Sequence, residues 1–502
     1  VNQDQPPEAS AGTEATLGRR AAQGAASTGA GLVTRVGLQV VTVVVLGRLL
    51  SPAEYGLIAM VLAVIGVGEL LRDSGLGSAA IAAATLSVRQ RSNLFWSNTV
   101  LGLSVALVVA AGAPLVAMAY GQPKLTAITQ ILAVTFWLNA MMTQYRASLL
   151  RAMRFAAVAA IDVVAPASAL VVAVVAAAAG AGYWALVAQQ LTQSVVALVA
   201  FAVTGRWLPS ARWHRGQQMR QFYTFGIFLL GSQLVGYVAN NIDAFIIGRR
   251  FGAADTGLYN RAFQLLMNPL NQVRTPSTTV ALPVLSRAGR TAQFDRIVRA
   301  GQLVLGYPVA VALAIVVGTA YPLVAVMLGG QWTGVPPVLR FLAVAGVMQT
   351  MAYVGYWVYL SRSLTRQLMA YTTVTAVLKI TLILVGSTWG PVGVAGGYAL
   401  AATLEWPLSL WWLSRITAIP TRALYGGAGR ILSVGTVTGA AATGAVWLVG
   451  SWPSLLQVLV GALAGVGAAA VTTLVPRVRR DLDELVHALR AALSRRGRTS
   501  KG

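Results

Sequence analysis

The chain has 502 residues, of which 56% are hydrophobic and 10% charged, with a mean hydropathy of +0.68 and a net charge of +24. A soluble domain carries about a quarter charged residues, and here the basic residues sit in short loops between apolar runs, so the charge belongs to a membrane protein and not to a nucleic-acid binder. There is no cysteine, and the two histidines, His214 and His487, fall in segments expected to be cytoplasmic; disulfides, thiolate metal sites, a cysteine nucleophile and a histidine-based site within the membrane are excluded, and neither a metal nor a cofactor is expected.

Residues 1–26 are polar and read as a disordered cytoplasmic tail without a cleavable signal. Apolar runs follow at 28–47, 56–72, 94–119, 125–145, 156–179, 183–204, 224–248, 257–283, 301–328, 337–360, 367–388, 392–413, 430–450 and 455–475. Each is close to the 20 or so residues that a helix needs to cross about 30 Å of hydrocarbon. The fifth and sixth are separated only by the turn Gly180-Ala181-Gly182-Tyr183. The fold class expected is therefore an all-α integral membrane protein of about fourteen transmembrane helices. Its divisions are the tail 1–26, a six-helix bundle over 27–222, a second over 223–420, two further helices over 421–475, and a basic amphipathic cytoplasmic tail over 476–502. In that tail Leu482, Leu485, Val486, Leu489 and Leu493 recur at helical spacing opposite a basic face, which suits an anionic membrane surface.

Charge sets the orientation. With the N-terminus inside, 29 of the 38 Lys and Arg residues fall in inner loops and tails, and five (Arg48, Lys124, Arg249, Arg250 and Arg340) fall outside. This asymmetry places both termini in the cytoplasm. Neither side has a polar stretch of 30 residues, which leaves no room for a catalytic domain, and no GxxxxGK[ST] motif provides for ATP. The chain is read as a transporter and not an enzyme.

A repeat lies within it. LGRLLSPAEYGL (Leu46–Leu57) and IGRRFGAADTGL (Ile247–Leu258) align at an offset of 201, pairing Gly47 with Gly248, Arg48 with Arg249, Glu54 with Asp255 and Gly56 with Gly257. Each marks the outer end of the first helix of a six-span unit, where a gate or turn is expected. Ser51 can cap the next helix, Pro52 suits its first turn, and Glu54 completes a capping box. Six spans is an even number, so the two units are parallel repeats.

Several strings carry a family resemblance. LGRLLSPAEYGLIAMV (Leu46–Val61), LLRDSGLGSAAI (Leu70–Ile81), NIDAFIIGRRFGAADTGLYNRAFQL (Asn241–Leu265) and LPVLSR (Leu282–Arg287) resemble the Wzx-like polysaccharide, or lipid-linked oligosaccharide, flippase branch of the multidrug/oligosaccharidyl-lipid/polysaccharide (MOP) exporter superfamily. The resemblance spans roughly residues 25–415. It implies two bundles around a V-shaped cavity, and movement of an undecaprenyl-diphosphate-linked glycan, a cell-surface polysaccharide precursor such as lipopolysaccharide or exopolysaccharide, from the inner to the outer leaflet by alternating access. It implies the bacterial inner membrane, with membrane lipids and polysaccharide polymerase or assembly proteins as partners and no nucleic acid. The alternative is a MATE-like cation-coupled drug or metabolite antiporter; a membrane glycosyltransferase or polymerase ranks below both.

Charges within spans are costly and usually mark polar cavities. Arg35, Arg261, Arg274 and Lys379 are the candidates for a cationic cavity that receives an anionic lipid head. Arg35 is also able to snorkel to the interface. Arg274 stands between Pro269 and Pro276, with Pro283 following, in a helix that prolines can kink; the other reading is an arginine that caps carbonyls or pairs with an acid. Lys379 either lines the second bundle or pairs with Glu405. Asp243, with Asn240 on its helical face, is a candidate for ion coupling, or for a salt bridge with Arg249, Arg250 or Arg261.

Overall fold

A computed structural model describes residues 34–73, 77, 80–81, 86–210, 237, 241–289 and 291–483. Every regular element among them is helical, and no strand occurs among the described residues. The helices are α1 (34–49), α2 (Pro52–Asp73), α3 (Val88–Tyr120), α4 (Lys124–Arg151), α5 (Phe155–Ala178) and α6 (Trp184–Gly205). They continue as α7 (241–251), α8 (Ala253–Ala288), α9 (Ala292–Met327), α10 (Val335–Ser361), α11 (Thr365–Gly386), α12 (Gly390–Ile416), α13 (Thr421–Leu448) and α14 (Ser454–Thr472). A short α15 covers 476–483. Helices α1 to α14 correspond one for one to the fourteen apolar runs. The tail 1–26 and the boundary expected at 222/223 lie outside the described residues.

Local sequence explains the breaks. At α2 the capping box forms as its residues suggest: the Ser51 N–H and Oγ donate to Glu54 Oε2 at 2.7 and 2.8 Å, and the Glu54 N–H donates back to Ser51 Oγ at 3.4 Å. Ser87 and Gln90 form a second box at the head of α3, which ends at Gly121 in the left-handed conformation. Gly180 and Gly182, with φ of +81° and +57°, turn the chain between α5 and α6.

Nine stretches among the described residues are long and apolar enough to cross a membrane, one of them running through both α11 and α12. Their outward side chains are apolar. Val108, Met118 and Leu463 are 72%, 74% and 72% exposed, a surface that is stable against lipid and not against water. The chain is a multi-pass membrane protein.

The packing divides into two compact units, Val1–Gly257 and Leu258–Gly502. In the first, α3 packs on α4, α5 on α6, and α4 on α6, while α2 leans on α3 and α4. Phe95, Tyr145, Leu149, Ile161 and Phe201 form a buried cluster there. In the second, α9 is the hub: α10, α13 and α14 all pack against it, and α12 bridges α10 and α11. The last two spans are thus built into the second unit through α9. The start of the tail is docked there too. Val478 and Leu482 join Leu303, Tyr307, Ile431 and Val434, and the buried carboxylate of Asp481 receives hydrogen bonds from Arg430 (2.5 and 3.0 Å), Arg299 (3.3 Å) and Tyr307 (2.9 Å).

Candidate functional site

The first unit contains a polar cleft of about 400 Å³ walled by α1, α4, α5 and α6. Arg35 lies on its wall, one residue into the described part of α1. Asp162, on the second turn of α5, accepts two hydrogen bonds from the Arg146 guanidinium of α4, at 3.1 and 2.9 Å. Such fork-to-carboxylate pairing fixes both side chains. Arg146 also lies over the Phe201 ring at 5.7 Å. The rest of the wall is rich in amides: Gln39, Asn139, Gln189, Gln190 and Gln193.

Of this cleft the sequence reading contained only Arg35. The missed signals were present. Asp162 is an acid well inside an apolar run, and Gln189, Gln190 and Gln193 put three amides within a little over one turn of the sixth. The glutamines carry no charge, and Arg146 lies just past the end of the apolar run 125–145, so neither stands out as a charge within a span.

The turn glycines of the repeat come together within the first unit. A Cβ on Gly56 would lie 1.6 Å from the Ala253 carbonyl oxygen, and one on Gly257 would lie 1.9 Å from that of Pro52. Gly47 and Gly248 are buried, and Arg48 and Arg249 exposed. The two turns differ in their caps. Glu54 is held by Ser51 and abuts Gly182, whereas Ser51 is replaced in the second turn by Gly252, with φ +85°. Partial burial raises the Asp255 carboxyl above its ordinary range. Asp243 is buried on α7, and its Oδ1 accepts from the Ala244 N–H at 2.9 Å; Asn240 lies outside the described residues.

In the second unit Arg274 is buried against α10. Its Nη2 donates to the Gly346 carbonyl at 2.6 Å and to Thr350 Oγ1 at 2.8 Å, its Nε donates to the same hydroxyl at 3.1 Å, and its Nη1 donates to Gln349 Oε1 at 3.3 Å. Gln349 in turn donates to the Tyr398 hydroxyl at 3.0 Å, and Lys379 Nζ lies 5.3 Å from the Tyr398 ring centre. Lys379 is also close enough to Glu405 for their charges to interact. Two cations singled out from sequence, Arg274 and Lys379, are therefore linked through Gln349 and Tyr398. Arg261 is buried as well and donates to Gln264 Oε1 at 3.0 Å. Helix α8 runs unbroken past Pro269, Pro276 and Pro283, which occupy its exposed side. On α10, Trp357 donates to Thr278 Oγ1 at 3.0 Å, and Tyr359 is buried and stacked on Tyr371.

Comparison with known proteins follows this architecture. Residues 45–337 match a family described as polysaccharide biosynthesis protein. The teichuronic acid biosynthesis protein TuaB of Bacillus subtilis is 25% identical over 403 residues, covering 77% of this chain and 81% of TuaB. The succinoglycan biosynthesis transport protein ExoT of Rhizobium meliloti is 26% identical, covering 62% and 63%. Among solved structures, the lipid II flippase MurJ in an inward closed conformation superposes with a TM-score of 0.67 at 11% identity, over 90% of this chain and 98% of that one. That likeness is one of fold.

Proposed function

Because the chain belongs to the polysaccharide biosynthesis protein family, we propose that it is a flippase for an undecaprenyl-diphosphate-linked oligosaccharide, carrying this precursor of a surface polysaccharide from the inner to the outer leaflet of the bacterial inner membrane by alternating access. The observation that carries the reading is the placement of cations inside membrane-spanning units: Arg35 on a polar cleft, and Arg274 and Lys379 on a buried polar chain. A diphosphate head needs cations held in a wet interior, and intramembrane charge is otherwise too costly to keep.

The two six-helix repeats, over 27–222 and 223–420, supply the moving halves in this reading, and the repeat segments around Gly56 and Gly257 are assigned to gating. Asp243 with Asn240 is assigned to ion coupling. Both termini are cytoplasmic, in keeping with the excess of positive charge in the inner loops. A polysaccharide polymerase and its assembly partners are the expected recipients of the product. A cation-coupled drug antiporter fits less well, since the acid in the first-unit cleft, Asp162, is already engaged by Arg146.

The test is deletion of the gene in its own host, followed by complementation. Lipid-linked glycan is expected to accumulate, protected from periplasmic glycosidase in intact cells, while surface polysaccharide disappears. Unchanged surface polysaccharide, or accumulation in the outer leaflet, sinks the proposal.

A further inference from the structure

The first-unit cleft has a chemistry of its own. Its central cation is neutralised: both terminal nitrogens of Arg146 are taken by Asp162. What remains along α6 is a patch of amides, Gln189 and Gln190 half-buried and Gln193 exposed to the cleft. A carboxamide offers two donors and two acceptor lone pairs, and so it matches a hydroxyl group, which is both donor and acceptor. A diphosphate has only acceptors and leaves half of each amide unused. Amides in an apolar bundle cost free energy unless they are hydrogen-bonded or wetted. Three of them within five residues on one membrane-spanning helix serve packing poorly and a polyhydroxylated ligand well. Phe201 gives the cleft an apolar face beneath Arg146, which suits the C–H face of a pyranose. The volume, about 400 Å³, lies within the range of small-molecule sites, roughly 300–1,000 Å³.

We propose that this cleft is a glycan subsite: Gln189, Gln190 and Gln193 hydrogen-bond the hydroxyls of an uncharged sugar ring, the Arg146–Asp162 pair fixes its orientation, and Arg35, on the α1 wall of the same cleft, is left for the diphosphate. The inference rests on the flippase reading and assigns the sugar part of the cargo to the first unit. The site thereby selects among glycans, and the cations select for the lipid-diphosphate anchor that all such glycans share.

Photo-crosslinking in the native host tests it, with p-benzoylphenylalanine placed at position 193 in the first unit and, separately, at 349 in the second. Ultraviolet adducts are analysed for lipid and for periodate-sensitive carbohydrate, with a host unable to make lipid-linked glycan as the blank. Carbohydrate captured at 193, absent from the blank, is the expected result. Capture of the glycolipid at 349 alone, or of carbohydrate-free lipid at 193, overturns the subsite and leaves the flippase reading standing. Capture at neither position removes both. In a background carrying a label at position 39, the double variant Gln189→Leu/Gln190→Leu is expected to lower carbohydrate capture by about tenfold, while the conservative pair Gln189→Asn/Gln190→Asn retains more. Equal capture by all three proteins also overturns the subsite.

Discussion

Gly56 and Gly257 occupy equivalent places in a reciprocal contact: Gly56 lies against the carbonyl of Ala253, and Gly257 against the carbonyl of Pro52. Both the glycines and the carbonyls are 201 residues apart in sequence. A repeat in sequence has become a local two-fold in space, as at an isologous interface where each residue meets the counterpart of its own partner. Glycine is required because a side chain at either position would enter the backbone of the facing helix.

Adding one methyl group therefore has a clear consequence. Gly56→Ala and Gly257→Ala each force α2 and the start of α8 apart. Each is expected to lower stability by about 1–3 kcal/mol or more, the usual cost of overpacking. Gly112→Ala, where a Cβ would meet nothing within 4 Å, is the control and should be neutral or slightly stabilising. Thermal unfolding of the purified protein in detergent reads all three. A midpoint for Gly56→Ala equal to that of Gly112→Ala would show that the close approach is not maintained.

Arg35 and Arg274 looked alike in sequence and are unlike in structure. Arg35 is exposed on a cleft wall, and Arg274 is 5% exposed, with four hydrogen bonds onto α10. Arg35→Ala should abolish surface glycan at normal protein level and unfolding temperature. Arg274→Ala should lose glycan and also about 2–3 kcal/mol of stability, because it leaves buried acceptors without their donor. Arg274→Lys keeps the charge without the planar fork, and should fall between. Quantitative immunoblots, glycan stains and unfolding midpoints separate these outcomes; wild-type glycan in both alanine variants would remove the two arginines from transport.

The fold was largely legible because a bilayer imposes one simple rule. Backbone groups in hydrocarbon must be satisfied within helices, so run length alone located α1 to α14, and Ser51, Pro52 and Glu54 announced the start of α2. The candidate site was legible only where it carried isolated charge, at Arg35, Arg274 and Lys379. Neutral amides such as Gln193 leave no mark on a charge count. The Arg146–Asp162 pair brings together two helices whose packing partners no single run reveals. Leu482 illustrates the same limit. Its spacing is that of a helix lying on a membrane surface, and yet it packs into the second unit, because α9 and α13 supply three partners for Asp481 that are 51 to 182 residues away in sequence.

The Arg146–Asp162 pair should matter more for transport than for folding. The side chains are 40% and 24% exposed, so solvent screens them, and the pair contributes about 1 kcal/mol or less to stability. Asp162→Asn should thus leave the unfolding midpoint nearly unchanged while lowering glycan export, since Arg146 is released to reorient across the cleft. The exchanged pair Arg146→Asp/Asp162→Arg should restore the ion pair and its small stability contribution without restoring export, because the donors and acceptors then face the cleft from the opposite walls. Full export by the exchanged pair would mean that the cleft requires only neutrality.

Asp481 is the anchor of the tail. Its carboxylate is 2% exposed and joined to Arg430 of α13, and to Arg299 and Tyr307 of α9. The docked face of α15 carries Val478, Asp481 and Leu482, so the exposed Arg477, Arg479 and Arg480 point away from the bundle. Asp481→Asn removes the charge from three charge-assisted or hydroxyl contacts and leaves two arginines facing a neutral amide. The expected cost is about 2 kcal/mol, given that both arginines retain access to solvent. The more telling effect is local: α15 should detach while the spans stay folded. Limited trypsinolysis in everted membrane vesicles measures this directly, since trypsin cuts a locally unfolded chain and detachment frees α15 to unfold around Arg477, Arg479 and Arg480. Faster release of the C-terminal segment from Asp481→Asn, at an unchanged rate of cleavage between the spans, is the expected pattern. The same cleavage rate as in the unaltered protein would show that Val478 and Leu482 hold α15 by themselves.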